Sequence, residues 1–200
     1  METQTVTIES PSRTINIMGD ITPELAHEVL EKVFEIESYD ALYEESYPED
    51  ELPYVLVNIF SCGGDAYSCQ AIIDSLLSLK AKVVTRAYGC IQSAGFLIYL
   101  SGDIRLAGKY TTLMQHGVSY DLGGNLKLHK QEIMEFERME KRLSDFIIDR
   151  TLITEKDLKK HTGEEWYLDY SDALKYGVIT HDCDLSEIYY TYGRENFKAI

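Results

Sequence analysis

A pair of glycines closing one strand, a serine opening a helix and a histidine ending a later strand are the residues of this chain placed to do covalent chemistry. The first motif, Ser61-Cys62-Gly63-Gly64-Asp65, directly follows an apolar run. Glycines at the carboxyl end of a strand let the backbone approach a ligand and aim free N–H groups at developing negative charge. An ordinary strand-to-helix turn uses the same residues. The second motif, Gly89-Cys90-Ile91-Gln92-Ser93-Ala94-Gly95, again follows a strand and opens an apolar helix. Ser93 then stands where backbone amides and the helix dipole stabilise an oxyanion. Residue 91 is isoleucine, so this is not the G-x-S-x-G elbow. A serine here also serves as a simple N-cap, and the sequence leaves both roles open. The third motif, Thr112-Leu113-Met114-Gln115-His116-Gly117, delivers a histidine into a glycine-flanked turn. His27, His129 and His161 fall in or beside amphipathic helices and His181 near the tail. His116 alone ends a strand, where open α/β sheets place their sites.

The elements that must position these residues alternate. Residues 13–18 read as a strand stopped at Gly19-Asp20. Thr22-Pro23 opens a helix with Leu25, Val29, Leu30, Val33 and Phe34 at helical spacing. Residues 39–52 are strongly acidic without a steady period and read as a surface loop. Residues 54–60 (YVLVNIF) form a β-branched and apolar run, expected as a strand buried on both faces. A helix over 70–79 with Ile72, Ile73, Leu76 and Leu77 inward, a strand over 82–87, a helix over 93–100 and short strands at 104–106 and 112–115 follow. That rhythm means crossovers and an α/β fold. A long helix over 126–150 carries Ile133, Phe136, Met139, Leu143, Phe146 and Ile147 on one stripe, with Lys130, Glu135, Arg138, Glu140 and Lys141 opposite. At about twice the mean helix length, it is compatible with a projection that meets another subunit. Two short helices, over 155–160 and 171–176, close the chain.

Composition bounds the function. Two hundred residues suit one domain, taken as 13–185 between an arm at 1–12 and a tail at 186–200. With 19 basic against 34 acidic residues the net charge is −15, which argues against nucleic acid or an anionic membrane as partner. Cys62, Cys69, Cys90 and Cys183 form no metal-site spacing and read as reduced thiols. No metal or cofactor is expected, and no G-x-x-x-x-G-K-[ST] is present. No apolar run reaches the roughly 18–20 residues a bilayer span needs. The polar, acidic opening reads as neither signal nor transit peptide, so a cytoplasmic protein is expected.

In order and spacing the motifs resemble the proteolytic subunit family of the Clp protease, ClpP. That family carries S-P-G-G, G-x-x-x-S-M-G and M-I-H-Q; here they stand as SCGG (61–64), GCIQSAG (89–95) and LMQHG (113–117). The resemblance runs from about residue 14 to 182. It includes SDALKYGVI at 171–179, similar to the family's S-x-x-E-A-x-x-Y-G-L-I. It implies an α/β, crotonase-like fold of stacked ββα units with a projecting strand-helix handle, here about 118–150. It implies a serine endopeptidase: Ser93 the nucleophile, His116 the general base, the amides of Gly64 and Ala94 the oxyanion hole. In the family the handle, whose strand matches 118–126 with Gly123-Gly124, lines up the substrate. It also joins two heptameric rings, so self-association into a tetradecamer is implied. So is an AAA+ unfoldase that hands over unfolded polypeptide.

Departures accompany the match. The family's proline is Cys62, the methionine after the serine is Ala94, and the arm is short for the family's axial loops. The triad's acidic residue aligns to His161. A neutral His161 can accept the N–H of His116 and fix its tautomer, whereas a protonated one opposes the imidazolium. His161 therefore stands as the implied third member. A catalytically weak or inactive structural subunit of a mixed ring is the alternative. A crotonase-type acyl-CoA enzyme is more remote, since no glutamate lies near the glycine motifs.

Overall fold

The β-branched runs become the strands of one six-stranded sheet. The computed structural model describes residues 10–119 and 126–182. Residues 1–9 of the expected arm, Gly123-Gly124 of the expected glycine-rich strand, Cys183 and the expected tail at 186–200 lie outside the described residues. In chain order the elements are β1 (Thr14–Met18), α1 (Pro23–Ser46), β2 (Val55–Ser61), α2 (Ala66–Ser78), β3 (Val83–Gln92) and α3 (Ala94–Tyr99). Then come β4 (Ile104–Ala107), β5 (Thr112–Gln115), α4 (Leu126–Arg150), α5 (Glu155–Lys160), β6 (Trp166–Leu168) and α6 (Tyr170–Lys175). The strand order is β1-β2-β3-β5-β6, with β4 also on β3. All pairs are parallel except β5 with β6. The α/β alternation read from the sequence is the observed architecture.

The long strand β3 positions the site. Its first half, Val84 to Ala87, pairs with β4, and its last residues, Cys90 to Gln92, pair with β5. The exchange of neighbours happens around Gly89, at φ 60°. β2 shifts register between Ile59 and Ser61 at the same level. The sheet therefore opens just where the Gly63-Gly64 turn and Ser93 emerge, the kind of crevice in which α/β sheets hold ligands.

One face of the sheet carries the core, where Ile15, Ile17, Val57, Ile59, Ile72, Phe96 and Ile98 are buried. On the other face Val84 and Leu106 pack with Tyr54, Leu56 and Ile104. β2 is thus not buried on both faces as expected: its residues alternate, and Phe60 is 46% exposed. The apolar run follows from β propensity, which marks a pleated surface, not full burial. Likewise only Val29 and Val33 of the expected α1 stripe are buried, joined by Ala26 and Ile36, while Leu30, Phe34 and, in α2, Leu77 are exposed.

Two further departures have physical causes. The acidic segment is no loop up to Ser46, since α1 runs to that residue. Tyr39, Tyr43 and Tyr47 recur at i+4 and pack ring on ring at 6.2 and 5.1 Å. Asp40 is buried and takes the Arg13 guanidinium at 2.5 and 3.0 Å. A charged residue that is paired across the fold leaves no apolar period in the sequence. β6 was not expected; its three residues pair with β5 through Trp166, Tyr167 and Leu168.

α4 matches its expected span. Met139 and Ile147 are buried, Leu143 and Phe146 pack on the main core, and Leu128 and Met134 are exposed toward the helix start. Among the described residues no helix is long and apolar enough to cross a membrane.

Candidate active site

The turn after β2 is clasped by the segment that follows β1. Ile21 donates its amide to the Gly63 carbonyl at 2.9 Å and accepts from Asp65 at 2.8 Å. Gly63 and Gly64 sit at φ 111° and 150°, conformations that L side chains rarely adopt. A Cβ on Gly64 would collide with Ile21, and one on Gly63 would lie 2.7 Å from the Ser93 Cβ. Both glycines are therefore required by close approach, and the turn is seated directly against the serine. Asp65 caps α2 through Ser68 at 2.7 Å. Among the described residues no acceptor takes the N–H of Gly64 or of Ala94.

Ser93 occupies the N-cap position of α3 without capping it, because its hydroxyl bonds no helix amide. It is the one non-glycine residue with positive φ among the described residues, at φ 52° and ψ −122°. Such a backbone costs about 1–3 kcal/mol and persists only when the surroundings impose it. The surroundings are visible. Its amide donates to Met114 of β5 at 2.9 Å. Behind it Phe96 and Tyr99 are the largest fully buried side chains in α3, and burial of the phenylalanine alone is worth about 1.5–3 kcal/mol. The strain turns the hydroxyl outward, away from the helix. Of the two positions left open, the hydroxyl takes the one that faces His116 rather than the helix amides.

The base is there. His116 follows β5, and its Nε2 lies 2.7 Å from Ser93 Oγ. Its Nδ1 faces Ser119 Oγ at 3.5 Å. Ser93, Ala94, Gly64 and His116 line one cleft of about 90 Å³, closed on its far side by Glu140, Leu143 and Ile147 of α4. A wider groove of about 560 Å³ continues past His116 between Phe136 and Glu140 of α4 and residues 162–165. The arrangement can deprotonate a hydroxyl against a carbonyl held in the cleft and bind the resulting oxyanion on two amides.

His161 is not brought to His116. It ends α5, its ring lies 4.4 Å from that of Trp166 and nearly parallel to it, and its Nδ1 is 3.9 Å from Glu164. Asp157, one turn earlier, does not orient it but closes a capping box with Thr154. Two contacts escaped the sequence reading. Glu140 accepts the Val118 amide at 2.6 Å, tying α4 to the segment after His116. It reads as one more charge on a solvated helix face, and no sequence signal distinguishes it. Ser119, three residues after His116, was open to inspection as a local turn partner. Beneath the site, burial pushes the Cys69 thiol up to about 12, and its sulfur donates to the Ala94 carbonyl at 3.4 Å. It is an inert packing group.

Comparisons with known proteins agree with this picture. The Clp protease family profile matches residues 4–182. The "ATP-dependent Clp protease proteolytic subunit 2" of Treponema pallidum is 26% identical over 175 residues, covering 85% of this chain and 81% of that protein. The "ATP-dependent Clp protease proteolytic subunit 3" of Rhizobium meliloti is 28% identical, covering 84% and 82%. Among solved structures, a ClpP1 mutant from Listeria monocytogenes superposes with TM-score 0.74 at 24% identity, covering 88% of this chain and 93% of that one. The fold is the ClpP, crotonase-like one.

Proposed function

Because this chain belongs to the Clp protease family, we propose that it is the serine endopeptidase subunit of a self-compartmentalised, ATP-dependent protease that cleaves unfolded polypeptides. The observation that carries the reading is the 2.7 Å approach of His116 Nε2 to Ser93 Oγ beside the amides of Gly64 and Ala94, whose N–H groups no described residue accepts. Ser93 Oγ attacks the scissile carbonyl carbon while His116 Nε2 takes its proton. The carbonyl oxygen, now an oxyanion, is held by the N–H groups of Gly64 and Ala94. The C–N bond breaks as His116 returns the proton to the leaving amine, leaving an ester on Ser93. Water, deprotonated by His116, attacks that ester and releases the acid.

His161, at the family's usual acidic position, is the proposed third member. In the described conformation Ser119 stands on the far ring nitrogen of His116 instead, so His161 must leave the Trp166 ring to serve. The relatives' names speak of an ATP-dependent protease, while this sequence has no phosphate-binding loop. Unfolding therefore belongs to a separate AAA+ unfoldase, and heptameric rings stacked as a tetradecamer in the cytoplasm complete the proposal. The position of His161 favours one other reading, a subunit that is structural and catalytically weak.

Labelling with a fluorophosphonate probe, together with hydrolysis of a fluorogenic peptide, separates the two. The expected result is stoichiometric labelling and turnover, both absent in Ser93→Ala. A wild-type protein that takes no label and cleaves no peptide would overturn the peptidase reading.

A further inference from the structure

Cys62 and Cys90 come from separate motifs, one inside the glycine turn and one ahead of the serine. Their sulfurs lie 3.0 Å apart. Cys62 is exposed and Cys90 half-buried. We propose that these two thiols form a reversible disulfide that moves the oxyanion turn and slows the site. The effect on rate rests on the peptidase reading above; the disulfide itself does not.

The geometry supplies the mechanism. A disulfide holds its sulfurs about 2.05 Å apart, so closing the pair draws them together by roughly 1 Å. The turn has little room to absorb that. Gly63 is bonded to Ile21 and backed onto the Ser93 Cβ, and Gly64 is wedged under the same isoleucine. Cys62 is the residue immediately before them, so its displacement passes to the Gly64 amide. A misplacement of about 1 Å in a catalytic group costs up to about 10²-fold in rate.

The chemistry is a thiol–disulfide exchange with a low-molecular-weight disulfide. The exposed Cys62 thiolate attacks one sulfur of the oxidant, forming a mixed disulfide and releasing the first small thiol. Cys90 loses its proton as it attacks the Cys62 sulfur, which releases the second. The protein has lost two protons and two electrons, and the oxidant has gained them. Desolvation, with a smaller contribution from the Cys62 hydrogen bond, pushes the Cys90 thiol up to about 11. This fits the resolving role for Cys90 and the attacking one for Cys62.

The test treats the purified full chain with oxidised glutathione and reads three things: intact mass, a non-reducing peptide map, and peptide hydrolysis relative to the same protein reduced. Expected for the wild type are a loss of two hydrogens, a Cys62–Cys90 cross-link and a rate at least tenfold lower, restored by dithiothreitol. Cys90→Ser should stop at a glutathione adduct on Cys62. Cys62→Ser, whatever its basal rate, should change neither mass nor rate. Absence of the 62–90 cross-link overturns the proposal, as does a cross-linked protein that hydrolyses at its reduced rate. A reduced protein without hydrolysis removes the peptidase reading instead, and the disulfide is still decided by the map.

Discussion

Glu140, in the middle of α4, accepts the amide proton of Val118 at 2.6 Å, two residues beyond His116. The contact couples the long helix to the segment that carries His116, so whatever shifts α4 is felt at the imidazole. A single hydrogen bond to a charged acceptor is worth about 1.5–3 kcal/mol. If half of it sets the position of His116, its loss costs roughly three- to twelvefold in kcat. Glu140→Ala is expected to show that loss with KM little changed, and Glu140→Gln, which keeps an acceptor oxygen, to recover most of it. Equal loss in both variants would assign Glu140 a structural role only.

The strain at Ser93 predicts opposite effects on activity and stability. Ser93→Gly removes both the hydroxyl and the Cβ that resists φ 52°. The backbone relief of about 1–3 kcal/mol exceeds the added entropy of an unfolded glycine, about 0.4–1 kcal/mol. Ser93→Gly should thus be inactive and more stable by about 1 kcal/mol, while Ser93→Ala is inactive at unchanged stability. Thermal unfolding of the three proteins checks this.

His161→Asp tests the third member. A carboxylate there gives up the stacking on Trp166 and can hold the His116 imidazolium, so the peptidase rate is expected to rise. The pH–rate profile should change with it, because a carboxylate in reach of His116 supports the imidazolium charge and a neutral ring only accepts its N–H. Profiles of His161→Asp and His161→Ala that both overlay the wild type would remove His161 from the site.

Arg105 is buried at 5% exposure and donates to four carbonyls, those of Gly102, Arg150, Gly177 and Val178, at 2.7 to 3.0 Å. Burial lowers its pKa to about 10, so it stays charged at neutral pH. Arg105→Met leaves those carbonyls unsatisfied and should destabilise the chain by about 3 kcal/mol or more. Arg105→Lys, a point charge without the planar fork, should recover only part of this. Urea midpoints at constant m-value give the measurement.

The exposed start of α4 tests assembly. Met134 is 53% exposed in the single subunit, whereas Leu143 packs on the subunit's own core. Met134→Glu is therefore the change that reports on a ring-to-ring contact without unfolding the chain. A folded product of half the native mass is expected, and an unchanged mass would count against the α4 face as the contact.

The strand-helix alternation, the cap at Thr22, the span of α4 and the three motifs were legible because each is a local pattern: periodicity, capping chemistry and turn residues depend on near neighbours. The same locality explains what was not legible. In the acidic stretch the i+4 recurrence of Tyr39, Tyr43 and Tyr47 was a local signal, but Asp40 is buried against Arg13 across the fold, and no window around Asp40 contains Arg13. Burial of Val29 but not Leu30 depends on which way the helix faces the sheet. Whether Ser93 caps α3 or turns toward His116 was decided by β5, whose Met114 carbonyl fixes the serine amide in a strained backbone. Glu140 on Val118 and Cys62 beside Cys90 are relations between segments that the fold brings together. Side-chain type and order along the chain specify what chemistry is available, but distances between remote atoms exist only once the core has packed.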